Sequence, residues 1–172
     1  MAELHRRADE SAADGRGSGG LGSEGLGSDG LAPIEPGPDV AILLRAVVDW
    51  ATETPAVVGV AVVGSHARGT ARPDSDVDLV LICDDPARIL TGDWIWRFGA
   101  VRSVAHEDYG ALQSLRVFFD GDLEVEFGIT GRNWAALPLD PGTRSVIMGG
   151  VRILYDPDGL LHRATSGGRG KD

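Results

Sequence analysis

Apolar residues follow a helical spacing near residue 40 and a strand-like spacing after it. Residues 39–54 carry apolar side chains every three or four positions, with Asp39 placed as an N-cap and Pro55 beyond the end, which predicts an amphipathic helix. Its apolar positions are Val40, Leu43, Leu44, Val47 and Trp50. Residues 56–64 and 77–84 are short apolar runs, which predict strands buried on at least one face. The helix is therefore expected to lie on a sheet that contains both strands.

The second half of the chain predicts more strands than helices. A weaker helical spacing at 86–98 predicts a second helix, in which Trp94 and Trp96 are interpreted as packing residues rather than platforms for stacked bases. Strand patterns follow at 101–109, 114–120 and 123–129, and Gly121-Asp122 predicts a hairpin between the last two. The remaining predicted elements are short helices at 132–137 and 140–150, a strand at 151–156 and a closing turn or helix at 157–164. We therefore expect an α/β or α+β fold, with a mixed, partly antiparallel central sheet flanked by helices.

The two ends of the chain differ in composition from its middle. Residues 1–38 hold 9 of the 25 glycines and repeat the string GLGS, and such a segment buries too little apolar surface to offset its ordering entropy. We expect a disordered Gly/Ser-rich leader at 1–38, one folded domain at 39–163 and a flexible tail at 164–172. The leader is either a tether to a partner or the product of a start codon assigned too far upstream.

Charge and cysteine content narrow the function classes. Acidic residues outnumber basic ones 26 to 16, a net charge of -10, which argues against a protein that coats nucleic acid, because phosphate backbones need a positive surface. The single cysteine, Cys83, excludes an internal disulfide, and no stretch reaches the roughly 18 apolar residues of a membrane helix. We expect a cytoplasmic protein with neither a membrane nor a general nucleic-acid partner.

The stretch GSHARGTARPDSDVDLV, residues 64–80, combines two chemical signals. Its aspartates Asp74, Asp76 and Asp78 stand at alternate positions at the start of a strand, where alternate side chains share a face, so either one carboxyl stays protonated or a cation lies between them. Carboxylate oxygens suit Mg²⁺. Upstream, Gly64-Ser65 makes a turn from a strand into a short helix, whose exposed N–H groups bind phosphate. The stretch therefore predicts a metal site beside a phosphate site.

A third carboxylate is expected from the strand at 123–129. In that strand Glu124 and Glu126 share one face while Val125 and Phe127 point into the core. Two-metal phosphoryl transfer usually needs such a third ligand. If this strand lies beside the strand at 77–84, either glutamate can face the aspartate pair.

These motifs have a joint spacing that resembles a known signature. Gly64-Ser65, ten further residues, Asp76-Val77-Asp78, an apolar strand and the later string LEVEF resemble the DNA polymerase β-type nucleotidyltransferase superfamily, and more narrowly the small bacterial proteins called minimal nucleotidyltransferases. The resemblance covers about residues 39–160. It implies a polymerase β-like fold and transfer of a nucleoside monophosphate from an NTP, expected to be ATP, to an acceptor hydroxyl, with two Mg²⁺ ions and release of pyrophosphate.

The resemblance also implies roles for individual residues. The residues that would hold the triphosphate are Gly64, Ser65 and Arg68. The residues that would hold the metal ions are Asp76, Asp78 and Glu126. Glu126 matches the family's third carboxylate and is also the candidate base, which ranks it ahead of Glu124. Catalysis would then come mainly from positioning and charge stabilisation.

Other interpretations compete with this one. A D-x-D-x-D string also opens an EF-hand, but Leu79 and Asp85 stand where that calcium loop needs glycine and glutamate. Enzymes of the resembled superfamily that modify antibiotics generally carry a helical domain after the catalytic sheet, but only about 40 residues follow LEVEFGI here. We therefore expect an acceptor site that is small or is completed by a second subunit or another protein. The acceptor is either a small molecule or a protein hydroxyl. The alternative function is a catalytically inactive, antitoxin-like module that binds nucleotide or regulates a partner.

Overall fold

The computed structural model describes residues 38–168. The helices are α1 (Pro38–Glu53), α2 (Gly64–Arg68), α3 (Pro86–Ile89), α4 (Pro141–Met148) and α5 (Leu160–Gly168). The strands are β1 (Val57–Val63), β2 (Val77–Cys83), β3 (Val101–Asp108), β4 (Leu112–Phe119), β5 (Glu124–Gly131) and β6 (Val151–Tyr155). Two 3-10 turns, at Ile95–Phe98 and Arg132–Ala135, complete the secondary structure.

The predicted leader and tail lie largely outside the described residues. The leader at 1–38 is outside them except for Pro38, and so are residues 169–172 of the tail. Helix α5 continues to Gly168, past residue 163, where the domain was expected to end. The division into leader, domain and tail therefore stays a prediction. Among residues 38–168, no helix combines the length and the apolar character that crossing a membrane requires.

The six strands form one sheet in the order β3-β4-β5-β2-β1-β6. Strands β2 and β5 pair in parallel, and all other neighbours pair antiparallel. This confirms the expected mixed, partly antiparallel sheet flanked by helices. It also shows that the strand at 123–129 lies beside the strand at 77–84, which was the condition for bringing the predicted carboxylates together.

Each face of the sheet carries its own apolar core. Alternate residues of β2 and β5, such as Leu79 and Phe127, join the core that α1 covers, where Trp50 and Trp94 stack with ring centroids 4.4 Å apart. Residues of opposite parity, such as Val80, join a second core with Trp134 and Ile147 from the α4 side. The side chains of Asp78 and Glu126 alternate with the first set, so they lie on the sheet face shared with the second core.

The predicted helix at 86–98 is wrong in its length. Helix α3 ends at Ile89, and Gly92 adopts a positive φ of 74°, which a continuous helix does not allow. The Trp94 indole then donates to the Ile89 carbonyl at 2.7 Å. Trp94 packs as predicted, but Trp96 does not, because 62% of its surface is exposed. Asp39 also differs from its predicted N-cap position, since it lies within the first turn of α1.

The β4–β5 hairpin confirms the predicted turn but has a different register. A two-residue Gly121-Asp122 loop would pair Asp120 with Leu123. Instead Phe119 donates its amide N–H to the Leu123 carbonyl at 2.9 Å, so the loop includes Asp120 as well. The extra residue shifts the register by one, which places Arg116 opposite Glu126.

Candidate active site

The parallel pairing of β2 and β5 brings the predicted carboxylates to one place. Asp78 lies opposite Glu126 in the register of these strands. Asp76 precedes β2 and Glu124 begins β5, so both lie at the same end of the parallel pair. We call Asp76, Asp78, Glu124 and Glu126 the carboxylate cluster.

The turn at Gly64 touches this cluster. Strand β1 pairs antiparallel with β2, with Val63 opposite Asp78, and α2 begins at the next residue. Gly64 has a φ of 69°, and a Cβ atom at this position would lie 2.6 Å from the Asp78 Oδ2 atom. Only glycine fits this conformation and this distance. The predicted phosphate turn, Gly64-Ser65, is thus in direct contact with a predicted metal ligand.

Arg68 is held at the end of the short helix α2. Its Nη1 atom donates to the Gly149 carbonyl at 2.6 Å, where α4 ends. A Cβ atom at Gly150, which has a φ of 110°, would lie 2.6 Å from the Arg68 Cγ atom, so the glycine leaves space for the arginine stem. Arg68 therefore joins α2 to α4, and its role in neutralising a triphosphate stays a prediction.

Negative charge accumulates around Asp78. Burial is the largest cause that raises the pKa of this carboxyl from 3.8 to about 6, and the charges of Asp76, Glu126 and Glu124 raise it further. The positive charge of Arg116 opposes them. A carboxylate surrounded by other carboxylates is stabilised by a bound cation. The cluster is therefore suited to a cation in its charge as well as in its oxygen ligands.

Arg116 of β4 belongs to this site, although no motif in the sequence predicts it. Its Nη2 atom lies 2.8 Å from Glu126 Oε2, and its guanidinium also lies 3.4 Å from Glu124 and 3.5 Å from Glu107. Hydrogen bonding to Glu126 is the main cause that raises the pKa of the Arg116 guanidinium. Arg116 thus orients Glu126 and partly neutralises the cluster. The length of the β4–β5 turn is the signal that could have revealed Arg116, because a three-residue turn shifts the strand register by one and sets Arg116 opposite Glu126.

The ligand chemistry of the cluster fits Mg²⁺, although no closed site is preformed. Within residues 38–168, no three acidic, histidine or cysteine side chains stand together in a geometry that encloses a metal ion. One predicted ligand, Glu126, is instead hydrogen-bonded to the Arg116 guanidinium. Carboxylate oxygens are nevertheless the donors that Mg²⁺ prefers, and the cluster carries excess negative charge that a divalent cation would neutralise.

Two cavities flank the carboxylate cluster along the strands. One, of about 250 Å³, lies before the strands begin and has His66, Asp76 and Glu124 in its wall. The other, of about 320 Å³, lies on the sheet face beyond Asp78 and Glu126, and we call it the sheet cavity. Several elements contribute to the wall of the sheet cavity. Its residues include Val63, Val80, Leu112, Gly128, Trp134, Thr143 and Val146, together with Tyr109 and Asp140.

Comparison with known proteins adds one finding. The model of the family described as the nucleotidyltransferase domain matches residues 44–129, which is half of the chain. The matched region runs from α1 to β5 and includes the phosphate turn and every member of the carboxylate cluster. It ends before Trp134 and α4, so the far wall of the sheet cavity lies outside the match. No curated protein matches the chain.

Proposed function

Because the chain belongs to the nucleotidyltransferase domain family, we propose that it transfers a nucleoside monophosphate from an NTP, with ATP as the first candidate, to an acceptor hydroxyl and releases pyrophosphate. The observation that carries this proposal is the register that sets Asp78 opposite Glu126, beside the turn at Gly64. Phosphoryl transfer needs phosphate-binding N–H groups and oxygen ligands for cations at adjacent positions. The turn at Gly64 and the carboxylate cluster, the candidates for these two parts, lie at the same end of β2.

Each part of the site has a proposed role. The backbone of Gly64 and Ser65 binds the triphosphate, and Asp76, Asp78 and Glu126 hold two Mg²⁺ ions. When bound, these ions neutralise charge on the transferring phosphoryl group and on the leaving pyrophosphate.

Contacts among the chain's own residues position the groups of the proposed site. Arg116 is hydrogen-bonded to Glu126 and fixes the direction of its carboxylate, which is the candidate base for the acceptor hydroxyl. The fixed positions of Gly64 and Asp78 hold the phosphate turn against the metal ligands. Pre-positioning of this kind supplies most of the rate enhancement in phosphoryl transfer.

The test is transfer of label from α-labelled ATP in the presence of Mg²⁺, with cell extract as the source of acceptor. Label and pyrophosphate release should appear with the wild-type protein and be lost when Asp76→Asn and Asp78→Asn are combined. Asp74→Asn is the matched control, because Asp74 lies in the same stretch but pairs only with exposed Arg72, at 3.6 Å. Transfer that persists in the double variant would contradict the proposed roles. Binding of NTP with no pyrophosphate release from any acceptor would support the alternative, an inactive nucleotide-binding module.

A further inference from the structure

The sheet cavity lies on one side of the carboxylate cluster and the phosphate turn lies on the other. Strands β2 and β5 run in parallel away from Asp78 and Glu126, and the cavity floor contains the next residues on that face, Val80 and Gly128. These lie roughly 7 Å further along the strands. The turn at Gly64 and the smaller cavity lie at the opposite end, where the strands begin.

This arrangement matters for the direction of attack, provided that the proposed function holds. In phosphoryl transfer, the attacking oxygen and the leaving oxygen lie roughly in line on opposite sides of the phosphorus. If the pyrophosphate portion is bound at Gly64 and Ser65, the acceptor hydroxyl must approach from the side of Val80 and Gly128. The sheet cavity is open to Asp78 and Glu126 on that side.

The polar groups in the wall of this cavity are already engaged within the protein. The Asp140 carboxylate accepts hydrogen bonds from the backbone N–H groups of Gly142 and Thr143, at 2.9 and 3.1 Å, and from the Thr143 hydroxyl. The Tyr109 hydroxyl donates to Glu107. Beyond the reacting carboxylates, the cavity therefore presents mainly apolar side chains.

The apolar wall is formed by side chains from several elements. They are Val63, Val80, Leu112, Trp134 and Val146. Gly128 adds no side chain to the floor, and a Cβ atom there would lie 3.0 Å from two methyl carbons of Leu112. The absence of a side chain at this position leaves room for Leu112, which packs over Gly128 and contributes an apolar surface to the cavity.

From this geometry we propose that the acceptor hydroxyl is carried on a compact, uncharged ring, as in a phenol or a cyclic alcohol, whose apolar body fills the sheet cavity. A body of one or two fused rings suits a cavity of about 320 Å³. A polycationic sugar such as an aminoglycoside fits this cavity less well, because ammonium groups lying against its apolar wall, away from the carboxylates at its edge, would lose their hydration. In the reaction, the hydroxyl oxygen bonds to the α-phosphorus, the bond from the α-phosphorus to the oxygen that bridges it to the β-phosphorus breaks, and pyrophosphate leaves with that oxygen. The hydroxyl proton passes to Glu126 and then to water.

Direct binding of a ring probe tests the cavity without nucleotide. We expect 2-naphthol to bind the wild-type protein in equilibrium dialysis and to bind Val146→Phe roughly tenfold more weakly or worse, because the phenyl group fills the space. Val48→Phe is the matched control, since Val48 is a partly exposed helical valine on α1, outside the cavity. Val146→Ala, which enlarges the cavity, should bind a three-ring phenol more tightly than the wild type does, and this test remains if Val146→Phe does not fold. Equal binding of the probes to all these variants would overturn the inference.

Transfer assays separate this inference from the proposed function. With α-labelled ATP, 2-naphthol or a short tyrosine peptide should be labelled, and Val146→Phe should reduce that labelling while Val48→Phe leaves it unchanged. Labelling of the free phenol alone would assign the ring to a small molecule, and labelling of the peptide alone would assign it to a side chain. Label that goes only to an aminoglycoside, unaffected by Val146→Phe, would overturn the uncharged ring acceptor and keep nucleotidyl transfer. Pyrophosphate release that survives loss of Asp76 and Asp78 would instead refute the proposed function.

Discussion

Replacing Asp78 by asparagine should stabilise the metal-free protein at pH values above 6. The Asp78 carboxyl is partly buried beside Asp76, Glu124 and Glu126, and its pKa is raised from 3.8 to about 6 in the fold. A raised pKa means that the folded state binds the proton more tightly than the unfolded state. The free energy of unfolding therefore falls as the pH rises from about 4 to about 6, and the loss is complete above that range. Asparagine has nearly the same shape and carries no charge.

The size of the effect follows from the pKa. A rise from 3.8 to about 6 would correspond to about 3 kcal/mol at neutral pH if it were fully expressed. Because the Asp78 side chain is only partly buried, solvent screening reduces this to about 1–2 kcal/mol. We therefore expect Asp78→Asn to raise the free energy of unfolding by about 1–2 kcal/mol near pH 8 and by about half as much near pH 5.

Urea unfolding with a chelator present measures this difference directly. Wild type and Asp78→Asn are compared near pH 8 and near pH 5 at low ionic strength, where charge effects are least screened. Asp74→Asn serves as the control, because exposed Asp74 should leave stability within about 0.5 kcal/mol. An Asp78→Asn variant that is no more stable than the wild type near pH 8, or whose gain does not shrink near pH 5, would refute the view that the carboxylate cluster is electrostatically strained.

Three further predictions concern other parts of the structure. Gly64→Ala should lower the free energy of unfolding by about 1–3 kcal/mol in urea and weaken NTP binding in calorimetry, because the residue needs a positive φ and its Cβ would meet Asp78. Arg116→Met leaves the glutamates around it without a counter-ion, so Mg²⁺ should raise its melting temperature more than that of the wild type in thermal unfolding; an equal rise would count against this role. Trp94→Ala should cost about 3–5 kcal/mol in urea, since the ring is buried against its neighbours, whereas exposed Trp96→Ala should cost less than about 0.5 kcal/mol.

The strands, and the shared face of the two β5 glutamates in the site, can be predicted from patterns that span only a few residues. Alternation in β5 places Val125 and Phe127 in the core, so Glu124 and Glu126 had to share the other face. The apolar run of β2 is continuous because that strand is covered on both faces. The pairing of β2 with β5 is only a condition at the level of the sequence, and the sheet meets that condition.

What could not be predicted depends on contacts between distant residues or on single dihedral angles. Arg116 reaches Glu126 only because the β4–β5 loop contains Asp120 as well as Gly121 and Asp122, and a loop shorter by one residue would turn it away. The break after α3 depends on the positive φ of Gly92, which the apolar spacing around it concealed. The walls of the sheet cavity likewise come from elements far apart in sequence, so no local pattern predicts them.

The single parallel pair in the sheet also affects the order of folding. The β2–β5 junction joins two local units: β1 and β2 pair across a short connection, and β3, β4 and β5 form a continuous meander, whereas β6 is added to β1 from much later in the chain. Joining the two units closes a connection of about forty residues, and contacts so far apart in sequence form later than local ones. Since Asp78 comes from one unit and Glu126 from the other, either unit alone would hold only part of the carboxylate cluster. Catalytic competence would then arise only when the two units join, and that step must overcome mutual repulsion between the carboxylates that it brings together.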